Sequence, residues 1–256
     1  MDAPLYDELH RVEQTHWWFR ARRQIVWSLV EKFSGGPTCR LRVCELGCGT
    51  GGNLAGIADR HDVTGVECAP PALHLARRTL GDRVIHGHLP HDIDLPRESF
   101  DVVLLLDVLE HIEDDAASAR TAVSLLRPGG ILVATVPAYQ WLYAPRDAHH
   151  HHVRRYSRRQ FTALWEPADT ETLLLSHYNA LLFAPAAAAR IASKFLRDNK
   201  HTGDLKTPPA ALNSLLTTTF AAESLLLGRV PLPFGLSLVA VVRKLTAAER
   251  AQQLAA

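Results

Sequence analysis

The run VCELGCGTGGN, residues 43–53, limits what this chain can fold into more than any other stretch. Residues 43–46 read as a short buried strand, and the glycines behind it turn the backbone sharply into a helix starting near Asn53. The free N–H groups at such a helix start can face a ligand, and glycine keeps side-chain bulk out of the turn. Gly47, Gly49 and Gly51 spell G-x-G-x-G, while Gly47, Gly49 and Gly52 equally satisfy the dinucleotide pattern G-x-G-x-x-G. Glu45 tips the balance, because an acid at the strand end suits an ammonium group and repels a pyrophosphate. Glu67 closes the next predicted strand, residues 62–67, where a carboxylate can take both hydroxyls of a ribose.

At 256 residues the chain suits one α/β domain with an elaboration, or at most two small domains. Its 28 basic and 27 acidic residues nearly cancel, so no global field draws in nucleic acid or an anionic membrane. Cys39, Cys44, Cys48 and Cys68 form no C-x-x-C pair and read as thiols of a reducing cytosol, not as ligands or disulfides. The N-terminus lacks an apolar signal segment, and no apolar run reaches the ~18 residues of a spanning helix. A cytoplasmic protein is expected.

Along the chain, HWWF at 16–19 precedes a helical pattern over 20–33, which should stop at Gly35-Gly36-Pro37. Two adjacent tryptophans cannot both face one core, so they either staple this helix to the sheet or form a lid over a ligand. Pro70 and Pro71 open a helix with Leu73, Ala76 and Leu80 on one stripe. Residues 84–86 form a third strand, and the apolar run 99–107 has the pattern of a central parallel strand covered on both faces. A helix from residues 113–115 to Arg127 and a Pro128-Gly129-Gly130 turn lead to a strand over 131–136. Residues 137–159 read as a long loop on the side where open α/β sheets bind ligands. The histidines at 149–152 have neither a carboxylate cluster nor Cys/His spacing behind them, so no metal is expected. A sixth strand over 170–178 is followed by a helical insertion, residues 180–229. Leu212, Leu215, Leu216, Phe220, Leu226 and Leu227 of its second half fall largely on one face. A last strand over 235–242 and a frayed tail over 246–256 complete the chain.

The glycine loop with Glu45 and Glu67, Phe100-Asp101, L-E-H-I at 109–112 and L-R-P-G-G at 126–130 together resemble the class I S-adenosylmethionine-dependent methyltransferases. Glu13, His16, Trp17, Trp18, Phe19, Ala21 and Arg22 are similar to an E-x-x-H-W-W-F-x-A-R opening of a bacterial subgroup. That subgroup also carries an acid, a spacer and G-H-x-R-R-Y, matched here by Asp147, His152, Arg154, Arg155 and Tyr156, with His151 in place of glycine. The resemblance implies a doubly wound α/β, Rossmann-like sheet of seven strands, the last antiparallel beside the fifth. It implies a single domain, 1–256, with an N-terminal lid or helix over 1–36 and the insertion 180–229 before the last strand.

The implied cofactor is S-adenosylmethionine, held by Glu45, Gly47, Cys48, Gly49, Gly51, Glu67, Cys68, His88, Leu89 and Asp107. The implied reaction is methyl transfer to oxygen or nitrogen of a small acceptor, with hydrophobic or lipid-linked molecules among the candidates. Nucleic acid is not an expected partner, and membrane contact is at most peripheral. An oxygen acceptor calls for a general base poised near neutrality, for which His152, His149, Asp147 and Tyr139 are the candidates; His111 is read as structural. Two other readings stand beside this one: a protein that binds the cofactor without turnover, and a nicotinamide-dependent oxidoreductase. In the latter, Glu45 and L-E-H-I have no use.

Overall fold

The computed structural model describes residues 3–36, 40–165, 169–196 and 206–254. Pro37, Cys39 and the polar stretch 198–205 of the insertion lie outside the described residues. Seven strands form one sheet: β1 (Arg42–Leu46), β2 (Asp62–Glu67), β3 (Val84–His86), β4 (Phe100–Leu106), β5 (Leu126–Pro137), β6 (Thr170–Tyr178) and β7 (Ser237–Lys244). Their order is β3-β2-β1-β4-β5-β7-β6, with the first five parallel and β7 antiparallel to both of its neighbours. This is the Rossmann-like sheet implied by the resemblance. The order reverses between β1 and β4, so ligands are expected beyond the carboxyl ends of these two strands.

Two apolar layers flank the sheet, and the strands feed them alternately because successive side chains point to opposite faces. Val102 and Leu104 of β4 join Val43, Val133 and Val241 on one face, under α2 (Trp17–Phe33), α3 (Gly52–Ala55) and α4 (Pro70–Leu80). Val103 and Leu105 join Leu46, Leu132 and Ala240 on the other, under α5 (Asp115–Leu125) and α7 (Arg158–Ala163). All seven residues of β4 are buried, as a near-continuous apolar run covered on both faces requires.

The structure departs from the sequence expectations at several elements. The polar N-terminus is a helix, α1 (Ala3–Val12), that rests on α4, and the tail is also helical, α10 (Ala247–Leu254). The helix after the glycine loop is a single turn, α3. Helix α5 ends at Leu125, and the L-R-P-G-G stretch already belongs to β5. The loop over 137–159 carries a 3₁₀ turn, Gln140–Leu142, and α6 (Pro145–His149).

The insertion contains α8 (Phe183–Leu196), which meets the Gln140–Leu142 turn, and α9 (Ala210–Ala221), which lies along α2. The leucine stripe expected to be buried on α9 is largely outward, with Leu212 46% and Leu215 63% exposed. Phe220 of the expected stripe is buried, and Asn213 and Thr217, in place of the leucines, share its face. Asn213 selects that face by bridging the start of α2: it accepts from the Trp17 N–H at 2.9 Å and donates to the Thr15 carbonyl at 2.9 Å. Trp17 meets Phe220 edge-on, and both tryptophans pack against the same core cluster, contrary to the expectation that adjacent tryptophans could not, because each is only partly buried at its edge; the HWWF stretch thus staples helices together.

Candidate active site

The glycine loop is fastened to β2, with the Gly47 and Cys48 N–H groups both donating to the Val66 carbonyl. Gly47, Gly49 and Gly51 all have positive φ, a conformation that favours glycine. A Cβ on Gly49 would meet no protein atom within 4 Å, whereas one on Gly52 would collide with the Glu13 carboxylate. Glycine at 52 therefore makes room for the protein, and the surface at Gly49 is open to a ligand.

Two carboxylates border this loop. Glu67 accepts the Gly49 N–H on Oε2 and the Ala69 N–H on Oε1, each at 2.8 Å, which fixes the group while leaving lone pairs for hydroxyl donors. Glu45, at the end of β1, is 1% exposed; Oε1 accepts from Asn53 Nδ2 at 2.6 Å. Its Oε2 is buried with no hydrogen-bond partner among the described residues. Burial pushes the Glu45 carboxyl up to about 7, against smaller opposing effects of Asn53 and Arg22. An orphaned buried carboxylate oxygen is costly to keep, and a cationic ligand group relieves that cost.

Arg22 comes from α2 into the same region. It pairs with Asp107 at the end of β4, lies over the Trp18 ring at 4.5 Å, and has its Nε buried without a partner among the described residues. The N-terminal arm is locked onto the glycine loop, with Thr50 Oγ1 donating to Glu13 Oε2 at 2.7 Å. Farther up the arm, Tyr6 packs with Ala72 and Leu75 of α4, and burial together with the charges of Glu67 and Cys68 pushes its hydroxyl up to about 12. Tyr6, Glu13 and Arg22 thus lie on the arm that packs against α4, the glycine loop and the end of β4, though spacing along the chain did not single them out. For Glu13 and Arg22 the signal was present in the E-x-x-H-W-W-F-x-A-R stretch; for Tyr6 there was none.

The remaining expected cofactor residues divide. Cys48 turns its thiol into the core, so that only its backbone belongs to the loop surface, and burial drives that thiol far up. Cys68 is exposed beside Glu67. His88 is exposed and pairs through its backbone with Asp92, while Leu89 is buried in the core.

On the acceptor side the structure joins Asp147 and His152 and sets Tyr139 apart. Asp147 is 2% exposed and saturated. Its Oδ1 accepts from Arg155 Nε and Nη2 at 2.9 and 2.6 Å and from His152 Nδ1 at 3.2 Å. Its Oδ2 accepts the Ala144 N–H at 2.9 Å and Arg190 Nη1 at 3.2 Å. Against the opposing effect of burial, these bonds hold the carboxyl far below its ordinary range. A group held ionised this firmly is a poor proton acceptor near neutrality, so Asp147 orients His152 and anchors the loop. His149 ends α6, its ring 5.8 Å from that of His150.

Tyr139 has φ +62, stacks on His177 at 5.2 Å and meets Phe183 edge-on. The rest of the R-R-Y motif is structural support: Arg154 Nη1 and the Tyr156 hydroxyl both donate to Asp115 Oδ2 at 2.7 Å. His151, standing where subgroup relatives have glycine, adopts φ +59, so the turn persists despite the substitution.

A family profile described as Methyltransferase domain matches residues 16–175. A probable S-adenosylmethionine-dependent methyltransferase of Mycolicibacterium smegmatis is 29% identical over 162 residues, 62% of this chain and 61% of that protein. A ubiquinone biosynthesis O-methyltransferase of Rhodopseudomonas palustris is 28% identical over 165 residues, 57% of this chain and 64% of that protein. The chain thus spans less than two thirds of the length of these curated relatives. Among solved structures, phosphoethanolamine N-methyltransferase 2 of Haemonchus contortus, in complex with S-adenosyl-L-methionine, aligns with a TM-score of 0.54 at 17% identity, covering 87% of this chain and 52% of that one. With the profile covering more than half of the chain and Glu45 and Glu67 bordering the glycine loop, the chain belongs to the class I S-adenosylmethionine-dependent methyltransferase family.

Proposed function

We propose that the protein transfers the methyl group of S-adenosylmethionine to an oxygen of a small hydrophobic acceptor, nitrogen being the other nucleophile the site can serve. The observation that carries the cofactor half is the buried Oε2 of Glu45, without a hydrogen-bond partner among the described residues, on the strand that leads into the glycine loop with its open position at Gly49. In this reading Glu45 takes the cofactor's ammonium, Arg22 turns its spare donors to the carboxylate, and Glu67 takes the two ribose hydroxyls. His88 and Leu89 border the adenine, and α1 with Tyr6 covers the bound molecule. The cofactor supplies an electrophilic methyl group on sulfur, so the protein has chiefly to align donor and acceptor and keep water out.

The names of the O-methyltransferase relatives support an oxygen nucleophile. A hydrophobic acceptor is supported by Tyr139, Phe183 and Phe234, whose rings adjoin one another at the foot of α8. His152, oriented by Asp147, is placed as the group that draws the proton from the acceptor hydroxyl, ahead of His149 and Tyr139. The chain is read as one domain in which residues 1–36 act as a lid and the insertion shapes the acceptor side.

Calorimetric titration with S-adenosylmethionine tests this reading. Glu67→Ala should weaken binding by ~1–3 kcal/mol, the cost of an orphaned polar contact, and Gly49→Val should do the same by filling the open surface. Release of S-adenosylhomocysteine in the presence of cell extract then separates a transferase from a silent binder. Wild-type affinity in both variants would place the cofactor elsewhere.

A further inference from the structure

Glu110 occupies a 3₁₀ turn, Leu109–His111, just past β4, and is 0% exposed. Neither of its carboxylate oxygens has a hydrogen-bond partner on another described residue. A buried carboxyl group in that state is costly, and the cofactor reading makes no use of it.

The segment after α6 folds onto this turn. The Val153 N–H donates to the Glu110 carbonyl at 2.8 Å, and His111 Nδ1 donates to the His151 carbonyl at 3.3 Å. The His152 ring is thereby brought edge-on to His111, with centroids 4.7 Å apart. Both histidines have Nδ1 against pure acceptors, the His151 carbonyl for one and Asp147 Oδ1 for the other. Each Nδ1 must therefore carry the proton, which leaves the lone pair of the neutral ring on Nε2. That is the form in which imidazole ligates a metal, and a carboxylate or carbonyl behind Nδ1 is its usual support. One potential donor atom from each of Glu110, His111 and His152 lies within 4.8 Å of the other two.

From this juxtaposition we infer that Glu110, His111 and His152 form a binding site for a divalent transition-metal ion. Two imidazole nitrogens and one carboxylate suit zinc and its first-row neighbours, whereas magnesium and calcium favour oxygen donors. Bonds of 2.0–2.1 Å in a tetrahedral site set donors ~3.3 Å apart, so the three side chains draw together as the ion enters. The expectation of no metal came from spacing within the histidine run. The donors actually come from two segments that meet only in the fold. Three protein ligands leave a fourth position open. A hydroxyl acceptor bound there would lose its proton to solvent near neutral pH, with His152 acting as ligand in place of base. This role, unlike the binding itself, rests on the oxygen-acceptor reading.

The test is titration of zinc chloride into the chelator-stripped full chain, with Co²⁺ absorption in the visible range as the spectroscopic signature of a four-coordinate site. One equivalent of zinc should bind. Glu110→Gln, His111→Ala and His152→Ala should each weaken zinc at least tenfold and abolish the cobalt spectrum, while a His149→Ala/His150→Ala double variant retains both. Absence of stoichiometric zinc and of a cobalt spectrum in the wild-type chain overturns the inference. So does binding that is lost in the double variant yet kept in the other three. Parallel titration with S-adenosylmethionine separates the two readings. Cofactor binding without zinc removes only the metal site, and zinc without cofactor binding removes only the transferase.

Discussion

At the scale of single residues, Glu45 couples stability, cofactor and pH. Its carboxyl titrates at about 7 in the folded chain against an ordinary value of 4.5. Between these values the folded state holds a proton that the unfolded state has lost, so this group withdraws stability as pH rises through the window. Glu45→Gln should therefore raise stability at pH 8 by on the order of 3 kcal/mol and have little effect near pH 4, read by denaturant unfolding at both values. Binding a cofactor ammonium favours the ionised form, so wild-type affinity for S-adenosylmethionine should increase as pH rises through about 7, with a proton released at pH 6. In Glu45→Gln the affinity should be lower and that slope absent; a variant keeping the wild-type slope would assign it to another group. Glu45 and Glu67 were legible in the sequence because strand-end acids stand at fixed offsets from the glycines. Arg22 was legible only as a member of the E-x-x-H-W-W-F-x-A-R stretch, because its partner Asp107 meets it only through the fold. The His151 turn was legible as a departure from glycine, and its φ of +59 is held by bonds on both sides: its N–H to the Ala148 carbonyl and its carbonyl from His111.

At the scale of elements, hydrophobic pattern located the strands well and the peripheral helices poorly. Residues 84–86 and 170–178 coincide with β3 and β6, where alternation or an apolar run reports directly on sheet burial. Helices α1 and α10 were missed because little of their surface is apolar, and α1 is held through one tyrosine and a few leucine and alanine contacts with α4. On α9 the pattern was right at Phe220 and wrong at the leucines before it. Leucines were assumed to turn inward, whereas a buried asparagine that joins two helix ends outweighs the transfer of one leucine from water. Asn213→Ala should then cost ~1–3 kcal/mol, since the Trp17 N–H and the Thr15 carbonyl both lose their partner. Leu215→Ser should change stability by less than ~0.5 kcal/mol. Denaturant midpoints for the two variants decide between the faces, and a larger loss for Leu215→Ser would restore the leucine stripe as the packed one.

At the scale of the whole molecule, the strand order was legible through the resemblance, whereas the division of labour within the insertion was not. Residues 180–229 read as one helical insertion, yet its parts serve different ends. Phe220 and Leu227 belong to the core beneath α2. Glu223 accepts the N–H groups of Asn179, Ala180 and Leu181 at 2.6, 2.7 and 2.9 Å, closing the corner after β6. Excising the whole insertion would open the core and leave the buried Asn179 amide without its acceptor, at ~1–3 kcal/mol. Helix α8 stands differently, being attached chiefly to the Gln140–Leu142 turn and, through Arg190, to Asp147. Replacing residues 184–207 with a Gly/Ser linker of matching reach should therefore keep the fold and the cofactor site, because neither α9 nor the Glu223 corner is touched. Such a variant should bind S-adenosylmethionine with wild-type affinity by calorimetry. It should also lose most of its S-adenosylhomocysteine release with extract-derived acceptor, because the wall beside Tyr139 and Phe183 is gone. Turnover at the wild-type rate in the folded variant would mean that α8 beyond Phe183 has no part in holding the acceptor, and the hydrophobic-acceptor reading would then have to stand on Tyr139, Phe183 and Phe234 alone.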